Sequence, residues 1–124
     1  MRSLLALLLI FTISVLAPST ALGQDSWVNL TLQSDQYGVE TSWNIISNLT
    51  GEIVETSEPI AGNTLTEDII SLPAGLYTFV IYDSFGDGIC CDYGDGWVSL
   101  TNTCGLNESI YDFNTDSVSI PFTL

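Results

Sequence analysis

Along this chain apolar and polar residues alternate in short runs, and clusters of Gly, Pro, Asn and Asp separate the runs. Successive side chains on a strand point to opposite faces, so alternation at period two marks a half-buried strand. Trp27-Val28-Asn29-Leu30-Thr31-Leu32 puts Val28, Leu30 and Leu32 on one face, and Thr41-Ser42-Trp43-Asn44-Ile45 does the same with Thr41, Trp43 and Ile45. Runs at 53–56, 68–72, 97–101, 110–113 and 118–122 read as further strands. Leu76-Tyr77-Thr78-Phe79-Val80-Ile81-Tyr82 is rich in β-branched and aromatic residues and apolar on both faces, which predicts a central strand. Turn formers punctuate the runs at Gly51, at Pro59 and Gly62, and at Pro73-Ala74-Gly75. No window carries a helical period of comparable strength. The expected fold is all-β: a two-sheet antiparallel sandwich, jelly-roll-like, of seven or eight strands.

The first residues follow a different pattern. Arg2 is a short positive segment, and residues 4–17 form an apolar run broken only by Thr12 and Ser14. Pro18 ends the run, and Ala21-Leu22-Gly23 supplies small residues for cleavage. This is the three-part pattern of a secretory signal peptide. The run is 14 residues long, short of the about 20 needed to span a bilayer. The expectation is a leader over residues 1–23, cleavage before Gln24, and one domain over residues 24–124. That places the protein outside the cell or on its surface, with no membrane attachment after cleavage.

Charge changes the picture most. Arg2 is the only basic residue, His is absent, and 15 carboxylates follow. Beyond Arg2 no side-chain ion pair can form. Each carboxylate must be solvated, accept backbone N–H groups, be protonated, or bind a metal. A chain without His has no Ser-His-Asp triad and no His–zinc site, and without Lys it forms no Schiff base. Without a basic patch it is not built to bind nucleic acid.

The segment 83–96, Asp-Ser-Phe-Gly-Asp-Gly-Ile-Cys-Cys-Asp-Tyr-Gly-Asp-Gly, holds four carboxylates and four glycines. Glycines let a backbone fold tightly, and hard cations take six to eight oxygens from carboxylates, carbonyls and water. Asp83 and Asp87, with Asp92 and Asp95 less firmly, are therefore candidate ligands, and calcium is the natural ion for an extracellular protein. The loop is not an EF-hand, since Asp83 as first ligand puts Gly94 where a carboxylate is required. It is not a P-loop, since it lacks Lys. A second acidic segment, residues 34–40, lies between the first two strands. Placed beside the first, as the end of a hairpin, it brings Asp35 and Glu40 to the same site.

Three cysteines, Cys90, Cys91 and Cys104, accompany the loop. A secreted chain favours a disulfide, and either Cys90 or Cys91 is expected to pair with Cys104. The remaining thiol is then either buried or joined to a second chain.

Ser34-Asp35-Gln36-Tyr37-Gly38-Val39-Glu40-Thr41-Ser42-Trp43, Leu72-Pro73-Ala74-Gly75-Leu76-Tyr77-Thr78-Phe79 and Asp83-Ser84-Phe85-Gly86-Asp87-Gly88-Ile89-Cys90-Cys91 together resemble a group of secreted acidic β-sandwich modules. These occur in extracellular proteins of bacteria and marine microbes, often beside peptidase or adhesion domains, and carry no settled family name. The resemblance spans residues 28–100. It implies acidic site positions at Asp35, Glu40, Asp83 and Asp87, with Asp92 and Asp95 at variable positions. The chain departs from the pattern at Ser71 and Leu76, where cysteines often flank the Leu-Pro-x-Gly turn.

Two further features bear on partners. Asn29, Asn48 and Asn107 head N-glycosylation sequons. Tyr37, Tyr93 and Trp97 border the acidic loops and are candidates for stacking on a sugar ring, although most aromatics serve as core. The expected function is a non-catalytic, calcium-stabilised extracellular module binding a glycan, matrix component or protein. The alternatives are a self-associating structural subunit of a surface layer or filament, and a small glycoside hydrolase using two carboxylates.

Overall fold

The computed structural model describes residues 26–124, so the leader expected over residues 1–23 lies outside the described residues. Eight strands form: β1 (Ser26–Gln33), β2 (Thr41–Ser47), β3 (Ile53–Thr56), β4 (Leu65–Leu72), β5 (Leu76–Asp83), β6 (Trp97–Thr101), β7 (Asn107–Ile110) and β8 (Ser117–Thr123). They make two four-stranded sheets, ordered β4-β1-β6-β7 and β3-β2-β5-β8, with every pairing antiparallel. This is the expected all-β sandwich. Five of the seven connections cross from one sheet to the other, and only β2–β3 and β6–β7 are hairpins.

The alternation read from sequence is what buries the core. Val28, Leu30 and Leu32 of β1 face Trp43 and Ile45 of β2 and Phe79 and Ile81 of β5 within one apolar cluster. β5 lies between β2 and β8, and Val80 on its other face is also buried, as a strand apolar on both faces requires. Boundaries differ from the expectation by more than two residues in two places. β4 starts at Leu65, because it stays paired along the whole of β1 up to Gln33. β7 covers Asn107–Ile110 and stops before Phe113, which folds off the sheet as a buried plug against the cluster.

A larger correction concerns residues 34–40. The expectation makes them the end of a hairpin, but β1 and β2 belong to different sheets. The segment is an arch across the end of the sandwich, containing a single 3-10 turn at Gly38–Glu40. The loop 84–96 likewise crosses between sheets, from β5 to β6, at the same end. The two acidic segments therefore meet because both bridge the same gap.

Among the described residues no helix is long and apolar enough to cross a membrane. Phe79 is fully buried at the centre of the cluster. Phe79→Ala is expected to lower unfolding stability in urea by about 3–5 kcal/mol, whereas Val39→Ala, at an 83% exposed position, changes it by less than about 0.5 kcal/mol.

Candidate metal centre

Asp83 closes β5 and turns its carboxylate back into the loop that follows. One oxygen, Oδ1, accepts the Phe85 N–H at 3.2 Å. The other, Oδ2, accepts the N–H groups of Gly86, at 3.0 Å, and Gly88. The side chain is 2% exposed, so these three donors replace the water it loses. Gly88 is required here. Its φ is +83°, and an added Cβ would fall 1.5 Å from the Phe113 carbonyl oxygen.

The arch and the loop are held together by backbone bonds. Ser84 N–H donates to the Glu40 carbonyl at 2.9 Å, and Gln36 N–H donates to the Tyr93 carbonyl at 3.0 Å. The bond from Ser84 sets Glu40 directly beside the Asp83 turn. Carboxylate oxygens of Glu40, Asp83 and Asp87 consequently lie within 4.8 Å of one another.

No cation is present among residues 26–124 to relieve this crowding. Burial, followed by the charges of Asp83, Asp87 and Asp35, raises the Glu40 carboxyl above its ordinary value. Asp87 is raised by burial, then by its side-chain hydrogen bond to Asp83 and the charges of Asp83 and Asp35; its own backbone opposes this in part. The trio thus has two ways to lower its energy, holding a proton between Asp87 and Asp83 or sharing a cation.

The sequence-derived candidates divide clearly. Glu40, Asp83 and Asp87 come together. Asp35 does not join the trio; it is 5% exposed and its Oδ1 accepts the Tyr37 N–H at 2.8 Å, which shapes the arch. It still acts on Glu40 and Asp87 through its charge. Asp92 and Asp95 are exposed and outside the trio. Asp95 instead bridges to Cys90 across the loop's own short ladder.

The expected pairing of Cys104 with Cys90 or Cys91 is overturned. Cys90 and Cys91 are joined to each other, and Cys104 is free and exposed. The reason is distance along the fold. β6 runs for five residues, about 17 Å, between the loop and the β6–β7 turn that carries Cys104, whereas a disulfide needs Cα atoms within about 7 Å. Cys90 and Cys91 also lie near Asp95, but sulfurs joined to each other offer no thiolate for a metal.

A cavity of about 250 Å³ opens beside the carboxylates, lined by Tyr37, Glu40, Phe85, Asp87 and Tyr93. Tyr37 and Tyr93 meet edge to face, with ring centroids 5.1 Å apart. Trp97 is placed elsewhere, on the outer face of its sheet against Tyr111 at 6.3 Å. Phe85 is the residue that sequence reading missed. It is 75% exposed at the rim, and its signal was a large aromatic within an Asp/Gly turn too tight to reach the core. The sequon residues Asn29, Asn48 and Asn107 are all exposed, and none lines this cavity.

Comparison with protein-family models, with curated proteins and with solved structures finds no match.

The donor set fits a hard cation: three carboxylates, no imidazole and no available thiolate. Asp83 holds one further lone pair after its three N–H bonds, while Glu40 and Asp87 are partly exposed. Three carboxylates fall short of calcium's six to eight oxygens, so water or ligand hydroxyls would complete the shell.

Protonation gives a test that needs no metal. The raised carboxyls hold protons more tightly folded than unfolded. Their stabilisation is therefore full below the ordinary carboxylate range and lost as pH rises through the raised values. In chelator, the melting temperature is expected to fall from about pH 4 to pH 7 more steeply in the native chain than in Asp87→Asn, which melts higher at pH 7. A second check is thiol counting. The folded, unreduced protein should take up one equivalent of maleimide, at Cys104, and the reduced, unfolded chain three.

Proposed function

We propose that this chain is a secreted, non-catalytic β-sandwich module that binds calcium at Glu40, Asp83 and Asp87 and presents an adjoining aromatic cavity to an extracellular ligand. The observation that carries the reading is the trio itself: three carboxylate oxygens within 4.8 Å in a chain whose residues 26–124 supply no cation. Calcium at this point would offset the repulsion and tie the arch to the loop, making one firm surface from two segments that cross the same gap. Asp83, at the end of β5, would hold the ion, with Glu40 and Asp87 supplying the other carboxylate oxygens.

Tyr37, Phe85 and Tyr93 around the cavity support a glycan as the ligand. Flat, exposed rings beside oxygen acceptors are the usual means of holding a sugar ring and its hydroxyls. A protein or matrix partner would use the same surface. Catalysis is less well supported. Glycoside hydrolases set their two carboxyls about 5–5.5 Å or about 6.5–9.5 Å apart around the scissile bond, and this trio is tighter. The cavity is also below the about 300 Å³ at which small-molecule sites begin.

Calcium is expected to raise the melting temperature at pH 7 relative to chelator, because it binds the native state. Calorimetric titration should show Asp87→Asn weakening calcium at least about tenfold, with Glu67→Gln unchanged. Equal affinity in the two variants would remove the site assignment. A glycan array probed with the calcium-loaded protein then tests the ligand class, with Phe85→Ala as the rim variant expected to lose signal.

A further inference from the structure

A second depression lies along the side of the sandwich and shares no residue with the aromatic cavity. It is a groove of about 730 Å³ between β3 and β4, the edge strands of the two sheets. Trp43, Ile60 and Ile70 form its floor, each less than a tenth exposed. Glu55, Glu58 and Asp68 stand in its walls, all exposed.

The register makes two of these acids unusual. Glu55 pairs with Ile45 and Asp68 with Leu30, and both partners are fully buried. Residues directly opposite in an antiparallel pair share a face, so Glu55 and Asp68 sit on the inward faces of their sheets. Inward positions of a sandwich are ordinarily apolar core. Here they carry charge and meet solvent, so the sheets do not close over each other along this side. β3 and β4 also end their sheets, and among the described residues no loop backbone bonds to either strand. An unpaired edge is a template for another strand.

The charges select the occupant. Residues 26–124 of a second copy would bring more carboxylates and no basic side chain, since they contain no Lys, Arg or His. Edge pairing between copies is therefore opposed. We propose that the groove receives an extended segment of a basic partner protein, added as a strand along β4, the longer of the two edges. Alternate residues of that strand face inward. The one beside Ile70 is apolar, and the next, two residues on, is a lysine or arginine reaching Asp68 and, across the groove, Glu55. Main-chain bonds to β4 hold the strand, and the alternating cations set its register. This site is independent of calcium.

The probe is a ten-residue peptide with threonine at the odd positions and valine and lysine in turn at the even ones, so that one face of the strand carries apolar and cationic side chains alternately; it is titrated calorimetrically into the full folded protein in chelator. Binding is expected. It should weaken about tenfold or more in the double variant Glu55→Gln/Asp68→Asn and less than about twofold in Glu108→Gln/Asp112→Asn, which loses the same charge elsewhere. Two further peptides carry N-methyl groups on alternate amides, in opposite phase. One phase blocks the bonds to β4 and should abolish binding, while the other should spare it. No binding overturns the proposal. So does equal weakening in the two double variants, which marks diffuse charge attraction, and so does undiminished binding of both methylated peptides, which removes the strand.

Discussion

The loop end of this protein rests on the buried carboxylate of Asp83. Taken out of water at the end of a central strand, it needs hydrogen-bond donors, and without a basic side chain nearby it takes them from the peptide that follows. Phe85, Gly86 and Gly88 turn their N–H groups toward it, and that fixes the path of the loop. The path brings Asp87 back beside Asp83 and puts Phe85 at the rim. The same turn lets Ser84 bond to Glu40, which draws the arch alongside. The carboxylate crowding is thus a consequence of satisfying one buried acid with main chain.

The charge composition shapes the rest of the surface in the same way. With no Lys, Arg or His in residues 26–124, any two acids brought together can be relieved only by solvent, protons or something bound. Most are relieved by solvent, as at Glu67 or Glu108, which are simply exposed. Two places differ. At the loop end, Glu40 and Asp87 are partly buried against Asp83, and their carboxyls are raised. Along the β3–β4 side, Glu55 and Asp68 occupy inward positions and leave the sandwich open. In both places an acid stands where packing alone would not put one.

Much of the fold was legible in the chain. Alternation at Val28, Leu30 and Leu32 and at Trp43 and Ile45 gave the inward faces, because period-two patterning is a direct record of which face is buried. The two-sided apolar run at 76–82 gave the central strand. Asp83 and Asp87 stood out as candidate ligands because carboxylates spaced by glycines are a local property. Phe85 was equally local, and lay within the segment already singled out.

What the sequence determined by itself was therefore everything carried by neighbours along the chain: strand faces, turn positions, the acidic loop and the absence of basic side chains beyond Arg2. The tertiary structure decided which distant segments share an end of the sandwich. It made residues 34–40 an arch between sheets instead of a hairpin, set Glu40 rather than Asp35 with Asp83 and Asp87, and carried Cys104 the length of β6 away from Cys90 and Cys91. Strand order follows from how two sheets bury a common core, and residue spacing holds no record of it. A strand's faces are written in its own residues; its neighbours are set by the packing of the whole chain.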